Sequence, residues 1–353
     1  MGYLRAVSPF LGAIVLAFVM QFGVAPMFGA YYQKLLIDIG INIVLAVSLN
    51  LVNGFAGQFS IGHAAFMAVG GYAAGAITYY GSFHVFGDAL VHHGQGDVLF
   101  LAATLVGGCV AAVAGWVVGL PSLRLKGDYL AIVTLGFGEI VRVLLQLTDD
   151  VMFKRADIEA ASVGTLALAL GGALGFGGLP FYTSIVWTYF FAFTLLVIAV
   201  RLKTSGEGRA FLSVRENEIA ASAMGIDTTR YKVRAFVLAA FFAGIAGSLF
   251  AHEIGTTLNP RELGFQKSFD IVIMVVLGGM GSISGAVLAA IVLTLLPEFL
   301  REAASYRMII YALLLISMMI LRPQGLFGVR EVWELYRRPK VSRPQVRPPG
   351  SLP

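Results

Sequence analysis

The chain has 353 residues, 58% of them hydrophobic and only 13% charged, with a mean hydropathy of +0.82 and a net charge of +5. A soluble domain carries roughly a quarter charged residues, so this balance excludes a soluble enzyme or nucleic-acid-binding domain and places the chain in a lipid bilayer. The single cysteine, Cys109, rules out an intramolecular disulfide and a cysteine metal cluster, and inside its apolar run it reads as a small core residue.

A spanning helix needs about 20 apolar residues, and uncharged runs of that size recur along the chain. In order, crossings are expected near residues 9–27, 35–53, 63–80, 99–119, 129–147, 183–200, 235–252, 268–281, 283–299 and 306–321. The expected fold class is all-α: a polytopic membrane protein with about ten transmembrane helices, including interrupted or re-entrant segments. The first segment follows one basic residue, Arg5, lacks a clear cleavage site and has further spans behind it, so it reads as a retained span. Within 268–299 a single crossing plus a re-entrant piece is the alternative. The glycine-rich run 164–178 either enters the membrane or lies on it.

Polar residues inside apolar spans are costly and mark candidate sites. Asn50, Asn53, Gln58, Ser60 and His63 cluster around glycines at 54, 57 and 62, as in a helix interrupted where it lines a pathway. Interhelical hydrogen bonding without solute contact is the rival reading. On the expected fifth span, Glu139 and Arg142 are three apart, hence on one helical face, and pair either as a structural couple or as a gate.

Seven Lys and Arg residues lie between Arg201 and Arg234 and seven more between Arg322 and Arg347, whereas loop 81–97 has none. The positive-inside rule then puts the first two regions and both termini in the cytoplasm, with loop 81–97 external. Within the basic loop, Asn217 is the expected N-cap and Gly225 the expected stop of a two-turn helix that carries Ile219, Ala220, Ala221 and Met224. A short exposed helix of this kind can lie in a partner's groove.

Further on, Gly278, Gly279 and Gly281 cut a long apolar run. Irregular backbone survives at membrane depth only where protein covers it or a wet cavity passes. The break either presents helix-end dipoles to a zwitterionic solute or forms a tight cytoplasmic turn and small-residue packing seam, and the second reading leads. Residues 1–329 are thus expected to form a transmembrane domain with a cytoplasmic loop at 201–234. Residues 330–353, rich in Pro and Arg, read as a solvated tail.

The run SLNLVNGFAGQFSIGHAAF at 48–66 resembles the signature of the branched-chain amino acid permease family, the membrane subunits of ATP-driven importers. KGDYLAIVTLGFGEI at 126–140 resembles the second of its two permease types, and 206–252, 276–285 and RPQGL at 322–326 match as well. The resemblance implies a non-catalytic transport subunit without cofactor or metal, in a bacterial or archaeal plasma (inner) membrane. Implied partners are two ATP-binding cassette subunits, a second homologous permease subunit and a periplasmic or extracellular solute-binding protein. It further implies that Arg215, Glu216, Asn217, Ile219, Ala220, Ala221, Met224 and Gly225 couple the chain to the ATPase. Loop 148–157 departs from the family's glycine-rich turn, which leaves the solute and the binding-protein contact open. The chain has no G-x-x-x-x-G-K-[ST] phosphate loop, so ATP hydrolysis falls to another chain. The alternative is an ATP-independent secondary transporter or channel for a small polar solute, with Glu139, Asp270 and His63 coupling protons.

Overall fold

The computed structural model describes residues 2–27, 29–86, 95–122, 128–253 and 257–300, with isolated positions beyond, Gly325 and Glu331 among them. Thirteen α-helices follow in chain order among the described residues: α1 (Gly2–Val19), α2 (Ala30–Asn50), α3 (His63–Phe86), α4 (Gln95–Ser122), α5 (Asp128–Gln146), α6 (Arg155–Ala160), α7 (Val163–Leu168), α8 (Ile185–Thr204), α9 (Gly206–Glu216), α10 (Glu218–Ala223), α11 (Thr228–Ala251), α12 (Phe265–Gly278) and α13 (Ile283–Phe299). No strand forms among them, and one isolated antiparallel bridge joins Phe176 to Leu258. The all-helical expectation is met.

Among the described residues, five stretches are long and apolar enough to cross a membrane: Ala30–Phe55, Gly96–Leu120, Tyr129–Gln146, Ile185–Thr204 and Thr228–Ala251. The expected ten crossings are therefore not reproduced as ten long helices. Backbone breaks, to which a hydropathy count is blind, shorten the helices in 9–27 and 268–299, whereas α3 runs unbroken for 24 residues and is absent from the five on composition alone. α1 runs into a π-helical turn at Met20–Val24 and a 3-10 turn at Ala25–Met27. α12 and α13 are two short helices joined by a four-residue turn, and the 14 residues of α12 rise only about 21 Å against a hydrocarbon core of about 30 Å. Half of the positions in 306–321 lie outside the described residues.

Glycine draws α3, α4 and α11 together. A Cβ on Gly247 would fall 1.8 Å from the Met67 carbonyl oxygen, and one on Gly70 would fall 2.2 Å from the Gly244 Cα. Only hydrogen fits in such gaps, so the three helices touch backbone to backbone. α2 is the most enclosed element: every residue from Ile39 to Ala56 is buried. α4 and α5 lie at the periphery, and Cys109 is exposed on α4 rather than packed in the core.

Helix starts in the second half are set by side-chain caps, each of which satisfies an orphan N–H. Ser184, Ser205, Asn217, Asp227 and Ser282 accept from the backbone nitrogens of Trp187, Gly208, Ala220, Arg230 and Gly285. These caps place two ends of the bundle. α9 and α10 lie at one, here the loop end. At the opposite cap end, segment 148–182 folds over the bundle instead of entering it. There the Tyr80 hydroxyl donates to the Ala169 carbonyl at 2.5 Å, and the Thr183 N–H donates to the His252 carbonyl at 3.2 Å. The run 164–178 thus contributes α7 and a 3-10 turn at Gly172–Leu174 to this cap, with Leu166 and Phe176 buried beneath it.

Candidate translocation and coupling site

α2 opens at the loop end into a π-helical turn, Leu51–Phe55, and the chain stays non-helical until His63 starts α3. The expected interruption of the polar cluster is therefore present. Each expected pathway residue there has a protein partner. The Asn50 side-chain amide donates to the Ser282 carbonyl at 3.0 Å and accepts from the Gly281 N–H at 2.8 Å, which ties α2 to the α12–α13 turn. Asn53 bonds both the carbonyl and the N–H of Ser60, at 3.4 and 3.1 Å. Gln58 donates to the Ala56 carbonyl at 3.2 Å, and His63 Nε2 lies 2.8 Å from Ser48 Oγ. Each of these residues is bonded within the protein in this structure.

The α12–α13 turn forms because Gly279 and Gly281 adopt φ of +103° and +92°, in a region that side chains avoid. A Cβ on Gly278 would fall 2.5 Å from the Gly285 backbone, so α12 and α13 also meet without side chains between them.

Three charged side chains converge on this turn. Arg215, in the last turn of α9, donates from Nη1 to the Gly54 carbonyl at 2.7 Å, and the same nitrogen would lie 2.6 Å from a Cβ on Gly281. Its guanidinium therefore sits between the α2 break and the α12–α13 turn. Lys203 at the end of α8 donates to the Gly281 carbonyl at 2.9 Å and to Glu331 Oε1 at 2.6 Å. Glu331 is completely buried and also accepts from the Ile283 N–H (2.9 Å), the Ser284 N–H (3.0 Å) and the Ser284 hydroxyl (2.6 Å). Burial alone would raise its pKa; the hydrogen bonds from Lys203, Ser284 and the two backbone N–H groups outweigh it and hold the carboxyl below its ordinary value. Glu331, within the stretch expected to be a tail, is held at this turn, and residues 332–353 lie outside the described residues.

α10 projects from the loop end. Its Glu218 pairs with buried Lys232 at 2.7 Å, which fixes the short helix on α11. Gly225 (φ +83°) turns the chain away after Met224. Ile219 and Met224 are 76% and 83% exposed, and Glu216, Asn217, Ala220 and Gly225 are exposed beside them. Ala221, expected in the same contact set, turns inward and is buried.

Glu139 and Arg142 do pair, with Nε 2.7 Å from Oε2. The other Glu139 oxygen accepts from the Phe265 N–H at 3.3 Å, and Arg142 also donates to Gln146. The pair therefore ties α5 to the start of α12 and lies apart from the Arg215 cluster.

A second polar group was missed in the sequence. At the cap end Lys34, Asp38 and Asn42 form an i, i+4, i+8 stripe on α2. Lys267 on α12 donates to Asn42 Oδ1 at 3.2 Å, and Asn42 donates to Thr294 of α13 at 2.9 Å. Glu253, just past the end of α11, is 1% exposed and lies 3.3 Å from Lys34 Nζ. Neither of its oxygens has a hydrogen bond of good geometry among the described residues. Burial, and then the facing Asp38 carboxylate, push Glu253 up to about 7 against the pull of Lys34.

An enclosed, interrupted helix inside an apolar all-helical bundle defines a polytopic membrane protein. The profile of the family described as branched-chain amino acid transport system / permease component matches residues 31–321, and the chain belongs to that family. It is 37% identical over 302 residues to the high-affinity branched-chain amino acid transport system permease protein LivM of Escherichia coli K12, which covers 81% of this chain and 67% of that protein. The LivH permease protein of the same system and organism is 26% identical over 294 residues (82% and 92%). A probable LivM permease of Methanocaldococcus jannaschii is 25% identical over 339 residues (90% and 95%). No solved structure matches the chain.

Proposed function

We propose that this chain is the membrane-spanning permease subunit of an ATP-driven importer for branched-chain or related amino acids, in which separate ATPase subunits power alternating access. Its family and the named systems of its relatives support the cargo class. Relatives of two permease types match it, which supports a second homologous permease as the other half of the pathway. The remaining partners in this reading are two ATP-binding cassette subunits and an external solute-binding protein. The basic loop end faces the cytoplasm and segment 148–182 faces outward.

Arg215 carries the mechanism. It lies two residues before the α10 cap and reaches the Gly54 carbonyl at 2.7 Å, between two helix breaks. The exposed apolar pair Ile219 and Met224 suits a groove on an ATPase. Closure of the ATPases would move α9 and α10 together and draw or release Gly54 and Gly281, so nucleotide would favour one state of the pathway over the other. The ATP-independent alternative is not favoured: His63 and Glu139, which it would use for protons, are engaged by Ser48 and by Arg142 with Phe265.

Ile219→Glu with Met224→Glu tests this. ATPase co-purification and ATP-driven uptake are expected to fall together, and undiminished association overturns the docking assignment. Solute flux through the permease pair without ATPases would overturn the importer reading.

A further inference from the structure

We propose that the polar cluster at the cap end, between α2, α12, α13 and the end of α11, is a binding subsite for the amino acid's charged groups. Glu253 with Asp38 takes the α-ammonium, and Lys267 with Asn42 takes the α-carboxylate. This rests on the importer reading and deepens it.

A zwitterion needs one anionic and one cationic partner close together in a site shielded from water. The cluster supplies both charges. Asp38 and Asn42 lie one turn apart on α2, with Lys267 on Asn42 at 3.2 Å and Glu253 facing Asp38. Buried carboxylates that serve only architecture are saturated by donors, whereas Glu253 is 1% exposed and its two oxygens have no well-formed hydrogen bond among the described residues. An arriving ammonium brings three N–H donors, where this carboxylate now faces the Lys34 ammonium at 3.3 Å. Lys34, 45% exposed and 3.3 Å away, occupies the cation position in this structure. Its long side chain reaches in from the outer end of α2, so an arriving ammonium can replace it while Lys34 swings to water. Lys267 offers the carboxylate a cation already oriented by the Asn42 amide, which is itself fixed by Thr294.

The test uses the complete transporter in proteoliposomes, with leucine as the probe and uptake, ATP hydrolysis and subunit co-purification as readouts. Loss of a charged hydrogen-bonding partner costs roughly ten- to a hundredfold in binding, so Glu253→Gln and Lys267→Gln are expected to raise the leucine KM by about that factor, with assembly and ATP hydrolysis kept. Lys34→Met is expected to retain uptake. Lys34→Met combined with Glu253→Gln separates ligand binding from an internal ion pair: continued deficiency supports the subsite, and restored uptake overturns it. Wild-type KM in Glu253→Gln and Lys267→Gln also overturns it, as does failure of the isosteric Gln variant to assemble, which marks a structural carboxylate. If the wild-type complex itself takes up no leucine on ATP, the importer reading fails instead.

Discussion

Two buried glutamates at opposite ends of the bundle have opposite surroundings. Glu331 at the loop end accepts from an ammonium, a hydroxyl and two backbone N–H groups. Glu253 at the cap end faces a half-exposed lysine and another carboxylate. Equal burial therefore says little about role. A saturated carboxylate is a fastening, and an underpaired one is an energetic liability that a structure keeps only where something else completes it.

The sharpest way to break the contrast is Glu331→Ala. It leaves Lys203 and two N–H groups without their anion, and loss of one partner of a buried pair costs about 3–5 kcal/mol. A marked drop in the melting temperature of the purified complex is expected, and an unchanged value would mean that the tail contact holds nothing. Glu253→Gln removes a poorly paired charge, so it should leave stability unchanged or raise it by on the order of 1 kcal/mol at pH 8. A loss as large as that of Glu331→Ala would erase the distinction.

The two residues should also respond to pH with opposite sign. Glu331 titrates below its ordinary value of 4.5, so its stabilisation is present above that pH and is lost as pH falls through the lowered pKa. Glu253 titrates near 7, so between 4.5 and about 7 the folded protein holds a proton that the unfolded chain has released, and stability falls as pH rises across that window. Melting curves from pH 4.5 to 8 should therefore flatten in Glu253→Gln; an unaltered slope would show that Asp38 or another group titrates there. The smallest effect serves as a baseline: Arg155 and Glu159 form an exposed i, i+4 pair at 2.7 Å, and Glu159→Gln should shift stability by no more than about 0.5 kcal/mol.

Much of this was legible in the residues because it depends on local chemistry. The cap at Asn217, the glycine breaks near 54 and 279, and the three-residue spacing of Glu139 and Arg142 follow from neighbours in the chain. Glu331 was not legible, because Pro and Arg around it read as solvated tail while its partner Lys203 is 128 positions away. The polar cluster at 50–63 announced its cost but not its beneficiary; only the folded chain shows Asn50 clasping the turn at Gly281. Lys34, Asp38 and Asn42 did carry a signal, a polar stripe at helical spacing, which long apolar runs on the adjacent faces hid.

The glycine contacts among α3, α4 and α11 have a mechanical consequence. Helices that meet through side chains can slide by exchanging rotamers, but helices whose backbones already touch at Gly70, Gly244 and Gly247 have no such slack. That trio has no room to slide, whereas α2 joins the α12–α13 pair through the side chains of Asn50 and Asn42.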